Sequence, residues 1–169
     1  MEKPLVNRVA NSSLKTINLE DFFPKGELVE FDLKDYLFME LVLKEKDFRK
    51  ALSEHDWEQY KGKNIALFCS TDAIIPVWAW MLVVSKAEPF CEQLFMGTPE
   101  EFLIQSYIQS LSNIDLEQYD NQRVVVKGCS EKPVPPNAYL ELTKLLRPYA
   151  KSIMYGEPCS TVPIYKKPK

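Results

Sequence analysis

From residue 64 onward the hydrophobic positions alternate between two periods. Asn64-Ile65-Ala66-Leu67-Phe68-Cys69 is a short apolar run, the mark of a strand covered on both faces in a parallel sheet. Asp72 is placed to cap a helix running to about Ala87, with Pro76 tolerated in its first turn. That helix is apolar all round, which predicts burial or a subunit interface. Residues 93–96 read as a second strand. Thr98-Pro99-Glu100-Glu101 is a helix start, with a capping threonine, proline at the first position and a glutamate three residues on. The helix should run to about Leu111. Residues 123–127 form a third strand, rich in valine. Pro135 opens a helix ending near Arg147, residues 152–155 form a fourth strand, and residues 162–165 suit a final edge strand.

Upstream the pattern is weaker. Residues 1–30 are poorly periodic, with a helical turn at residues 19–23 stopped by Pro24 and Gly26. Residues 37–43 suit a strand. Residues 47–60 suit a helix carrying Phe48, Leu52 and Trp57 on one side and closed by Gly62.

The second two-thirds repeats itself. Asp56-Trp57-Glu58-Gln59-Tyr60 recurs as Asp115-Leu116-Glu117-Gln118-Tyr119, an offset of 59 (115 − 56). The same offset matches Pro76 with Pro135, Trp80 with Tyr139, Pro89 with Pro148 and Gly97 with Gly156. One extra residue aligns Cys69-Ser70 with Cys129-Ser130. The expected fold is therefore α/β: a mainly parallel sheet with helices on both faces, built from two duplicated βαβ halves plus an N-terminal extension. The expected organisation is a single domain, 1–169, with the extension at 1–55, a first repeat at 56–112 and a second at 115–166. Halves related in this way should set their first strands side by side, at a switch point where ligands bind beyond the carboxyl ends. Cys69 and Cys129 would then end strands about 4.8 Å apart.

Composition narrows the classes. Hydrophobic residues are 46% and charged residues 27%, the balance of a globular protein rather than a disordered one. The net charge is −3 and no long basic run exists, which argues against a nucleic-acid partner. The most apolar run is shorter than a membrane span, and Met1-Glu2-Lys3-Pro4 opens no apolar signal segment. A cytoplasmic location with reduced cysteines is expected. Five glycines, in none of the phosphate-cradle or hydrolase patterns, and a single histidine remove most familiar catalytic motifs. His55, in Ser-Glu-His-Asp, reads as solvated surface, as does the charge at Glu20-Asp21. Cys91 reads as core.

The cysteines keep three chemistries open. Cys69, Cys129 and Cys159 supply thiolates for zinc or iron, with Asp72 or Glu157 as an oxygen ligand. This resembles the three-cysteine, one-aspartate set of U-type iron–sulfur scaffold proteins. Alternatively, Cys69 and Cys129 form a reversible dithiol or accept sulfur, each preceding a helix whose dipole stabilises a thiolate. In the third reading the thiols are small buried residues of a non-catalytic binding or assembly module. Trp78, Trp80 and the apolar helix around them would then pack in a homodimer.

Val126-Lys127-Gly128-Cys129-Ser130, the segment from Leu146 to Lys151 and above all Ser152-Ile153-Met154-Tyr155-Gly156-Glu157-Pro158-Cys159-Ser160-Thr161 resemble the bacterial domain-of-unknown-function family 2480. The resemblance covers nearly the whole chain. It brings no established activity, and it implies proximity to iron–sulfur cluster assembly proteins as partners.

Overall fold

The structure, a computed structural model, describes residues 14–128 and 131–168. Its elements run β1 (Leu14–Asn18), β2 (Glu27–Asp32), α1 (Glu45–Glu54), β3 (Lys63–Phe68), α2 (Val77–Ala87), β4 (Gln93–Met96), α3 (Pro99–Ser112), β5 (Arg123–Lys127), α4 (Pro136–Leu146), β6 (Ser152–Glu157) and β7 (Ser160–Lys166). The fold is mixed α/β, but its strands form two sheets rather than one. One has the order β1-β5-β6-β7 and the other β2-β3-β4. All pairings are parallel except that of β7, which returns antiparallel to β6.

The reason for two sheets lies in the N-terminal extension. It supplies two strands, not one, and each occupies an edge of a different central strand. β3 is flanked by β2 and β4, and β5 by β1 and β6. Neither has an edge left for the other, so the side-by-side placement of β3 and β5 expected from the repeat does not occur. β1 and β2 end alike. The Asn18 side chain accepts from the Glu20 N–H and the Asp32 side chain from the Lys34 N–H, each starting a 3-10 turn that buries a leucine, Leu19 or Leu33.

The chain divides into two compact units, Lys25–Phe102 and the flanking Met1–Pro24 with Leu103–Lys169. In the inner unit, Ile65, Ala66 and Leu67 are all fully buried, so β3 is covered on both faces, as its unbroken apolar run requires. α1 adds Phe48 and Leu52, one turn apart, and α2 adds Ala79, Val83 and Ala87. In the outer unit, Val124, Val125 and Val126 of β5 play the part of the β3 run, and Ala138, Leu142 and Leu146 of α4 that of the α2 stripe. Burying each leucine-sized side chain contributes roughly 1.5–3 kcal/mol.

Local expectations held or failed for identifiable reasons. The capping box forms: Glu101 accepts from the Thr98 N–H at 2.8 Å, and the Thr98 hydroxyl accepts from the Glu101 N–H at 3.3 Å. The strand expected at residues 37–43 is a tight turn, because Met39 and Glu40 take left-handed φ of 53° and 58° and leave only a Phe38–Val42 bridge. The helix starting at Asp72 instead begins at Val77, after an extended Pro76 (ψ 141°). The residue before a proline is barred from the helical region, which keeps Ile75 out of the helix. The helix expected to reach Tyr60 stops at Glu54; Trp57 lies beyond it, buried, with its indole N–H donating to the Leu52 carbonyl at 2.9 Å. α2 is not buried all round, since Val77 and Met81 are exposed. Glu20 is not solvated either: it is buried and accepts from the Glu131 N–H at 3.1 Å.

Ile65→Ala should lower unfolding stability by about 2–5 kcal/mol, read as a lower urea midpoint at unchanged slope. Lys15→Ala, exposed on β1, should move it by less than about 0.5 kcal/mol. Equal shifts in the two variants would contradict the placement of the core.

Candidate functional site

The carboxyl end of β3 opens into a cleft of the inner unit. β3 stops at Phe68, and Cys69, Ser70 and Thr71 begin the loop to α2. Asp32, at the end of β2, anchors that loop by accepting from the Ser70 N–H at 3.0 Å while also holding the Lys34 N–H at 2.9 Å. Burial pushes its carboxyl up, but the hydrogen bonds from Ser70 and Lys34 and the Lys34 charge outweigh it, holding the group below 3.8. Ile75, Trp80, Met96 and Gly97 close the other walls, leaving about 330 Å³. The half-buried Cys69 thiol lies in the wall, 3.3 Å from the Thr71 hydroxyl. Gly97 turns at φ 149°, where an added Cβ would stand 2.5 Å from the Phe95 ring and 2.7 Å from the Glu101 carboxylate. Glycine there lets Glu101 fold back onto the start of α3.

The outer unit carries a cavity of about 380 Å³ lined in part by Val126 of β5, Val134, Tyr139 of α4 and Tyr155 of β6. These four stand 59 positions (126 − 67) after Leu67, Ile75, Trp80 and Met96 of the inner cleft. The outer cavity then extends over β6 to Ile164 of β7. In the inner sheet, β4 ends the strand order.

The sequence-predicted ligands are distributed between the units. Cys69 and the exposed Asp72 share one loop of the inner unit. Cys159 is exposed in the β6–β7 turn of the outer unit, and Glu157 is exposed and paired with Lys127 at 3.5 Å. Cys129 lies outside the described residues. No group of three or more His, Cys, Asp or Glu side chains is arranged to hold a metal ion among the described residues. The interstrand spacing expected to bring Cys69 and Cys129 together is absent, because β3 and β5 lie in different sheets. Cys91 is half-buried against the inner core.

His55 departs most from its expectation. It ends α1 with its ring half-buried, Nε2 2.8 Å from the Tyr60 hydroxyl and Nδ1 3.4 Å from that of Tyr36. It stacks on Tyr60 and meets Phe31 edge-on. Burial raises Tyr60 to about 12, with Tyr36 and Asp56 adding to the effect. The signal was Tyr36 and Tyr60 themselves, but only the fold reveals that the 3-10 turn after β2 and the turn after α1 bring them to one place. Asp32 was missed because nothing in the chain marks it as facing Ser70.

A mixed α/β protein with two largely parallel sheets, and a cleft beside the central strand of each, is the class these observations define. The chain belongs to the family described as protein of unknown function (DUF2480), whose model matches residues 3–167. No curated protein and no solved structure matches it. No helix among the described residues is long and apolar enough to cross a membrane.

The histidine cluster sets a pH dependence. Burial lowers the His55 pKa below its ordinary 6.5, while Asp56 pulls weakly the other way. The unfolded chain therefore takes up the proton first on acidification. The contribution of His55 to stability is complete above 6.5 and is lost as pH falls through the lower folded value. The urea midpoint should drop below that pH, and His55→Gln should flatten the drop. Superimposable profiles for the two proteins would refute the coupling.

Proposed function

We propose that the chain is a binding module that holds ligands beside the central strands of its two sheets, with one site in each unit. The observation that carries this reading is the correspondence of the two cavities, in which Leu67, Ile75, Trp80 and Met96 are answered by Val126, Val134, Tyr139 and Tyr155. Both volumes fall in the ~300–1,000 Å³ range of small-molecule sites. A duplication that gave rise to both units accounts for the shared offset. It is supported by matching local bonds: Glu58 N–H to Asp56 and Glu117 N–H to Asp115, at 3.2 and 3.1 Å. The Ala79 N–H to the Pro76 carbonyl and the Ala138 N–H to the Pro135 carbonyl, both 2.9 Å, match in the same way.

Small aromatic fragments, indole and phenol, should shift the methyl resonances of Leu67 and Ile75 and, as a second set, those of Val126 and Val134. Failure of both sets to move would remove the binding reading. Movement of one set alone would remove the claim of a site in each unit.

A second reading keeps the cysteine chemistry: Cys69, Cys129 and Cys159 handle sulfur or hold zinc or iron, with Asp72 or Glu157 as the oxygen ligand. The position of the Cys69 thiol in a cleft wall supports it. The Lys127–Glu157 pair weighs against Glu157 as a ligand, since its charge is already answered. Protein purified without added metal should contain stoichiometric zinc or iron by elemental analysis, and Cys69→Ser and Cys129→Ser should each lose it. Metal-free wild-type protein with slowly alkylated thiols would end this reading.

A further inference from the structure

We infer, resting on the binding-module reading, that the outer-unit cavity is built for an uncharged, largely hydrocarbon molecule whose polar end lies at the Tyr155 hydroxyl. Val126, Ile153, Met154, Leu140 and Ile164 contribute apolar walls. The Thr143 and Met154 polar atoms of the lining are already engaged. The Thr143 hydroxyl donates to the Tyr139 carbonyl at 2.7 Å, leaving its methyl for the cavity. The Met154 sulfur accepts from the Thr161 hydroxyl at 3.7 Å. A Cβ added to Gly128 would stand 2.7 Å from the Tyr139 hydroxyl, so that group is seated against the Gly128 backbone. Tyr155 meets Tyr139 edge-to-face at 5.7 Å and is 44% exposed, which sets its ring at the mouth.

Charge selects the ligand class. No charged side chain is in the lining among the described residues. Two ion pairs stand on residues close in sequence to lining positions of β5, β6 and α4: Lys127 with Glu157 at 3.5 Å, and Lys144 with Glu141 at 3.3 Å. An ionic headgroup inside would lose its hydration without gaining a partner. Size selects a free molecule over one anchoring side chain of a partner protein. A cavity of ~150 Å³ accepts a benzene ring, and this one, at about 380 Å³, is more than twice as large. Leu140 and Ile164, 69% and 53% exposed, leave an apolar rim for the rest of the hydrocarbon body.

The test uses the full chain, with phenylnaphthylamine as an uncharged fluorescent reporter and decanol and decanoate as competitors at neutral pH. Decanol should displace the reporter at concentrations at least about tenfold below decanoate, a gap of ~1.4 kcal/mol. Leu140→Lys and Ile164→Lys, both at exposed positions, should each weaken decanol binding about tenfold or more with unchanged unfolding midpoints. Met81→Lys, in the inner unit, should leave it unchanged. Equal competition by decanol and decanoate, or lysine variants that bind decanol like the wild type, would overturn the inference. Loss of binding in Met81→Lys alone would place the occupant in the inner unit, away from the outer cavity, overturning this assignment while the binding module stands. No decanol binding at all would sink this inference by itself; the module falls only if indole and phenol also leave both sets of methyl resonances in place.

Discussion

β3 and β5 are each hydrogen-bonded along both edges and buried on both faces, and the remaining features follow from that saturation. A parallel strand with an open edge or a wet face would leave backbone polar groups or apolar side chains without a partner. β3 meets the requirement with β2 and β4, and β5 with β1 and β6. Once both are saturated, the two sheets cannot merge, whatever the similarity of their sequences. The same saturation makes the strand ends predictable positions: the chain must leave each sheet at its carboxyl edge, where side chains are released from the ladder.

The clefts exist because the helices start late. Pro76 and Pro135 sit in extended conformation at the N-caps of α2 and α4, with ψ of 141° and 146°. Each keeps the residue before it out of the helical region. A helix beginning directly after the strand would fill the space now lined by Ile75 or Val134. Asp32 then fixes the loop that results, tying Ser70 to the neighbouring strand. Local backbone restriction thus shapes the space. The two units diverge in their outer wall: β7 extends the sheet beyond β6, whereas β4 is the last strand of its order.

Periodicity in the sequence located most of the elements that burial enforces. The apolar runs of β3 and β5 and the capping box of α3 were readable because each encodes its structure within a few residues. The strands β1 and β2 were not. Leu14-Lys15-Thr16-Ile17-Asn18 has no strong alternation, and its meaning depends on a partner far along the chain. The same limit applies to the site. The carboxyl edge and Cys69 could be inferred from strand ends, and the 59-position offset in the sequence joined residues of the two clefts. Which side chains share a cleft depended on the pairing of sheets, and that was decided by the least periodic segment. His55 shows the limit at a single residue: polar sequence neighbours suggested solvent, yet Trp57 and Tyr60 just downstream and Phe31 from β2 pack against its ring.

The outer unit is discontinuous, its first strand separated from its central one by the entire inner unit. Leu14 pairs with Arg123, 109 positions away (123 − 14), whereas Glu27 pairs with Lys63, 36 away (63 − 27). On a ribosome the inner sheet is complete while β5 has yet to be made. β1 must therefore wait, an unpaired edge, through most of translation. Two of its five residues, Lys15 and Thr16, are polar and exposed, a composition that keeps a waiting strand from pairing with the wrong neighbour.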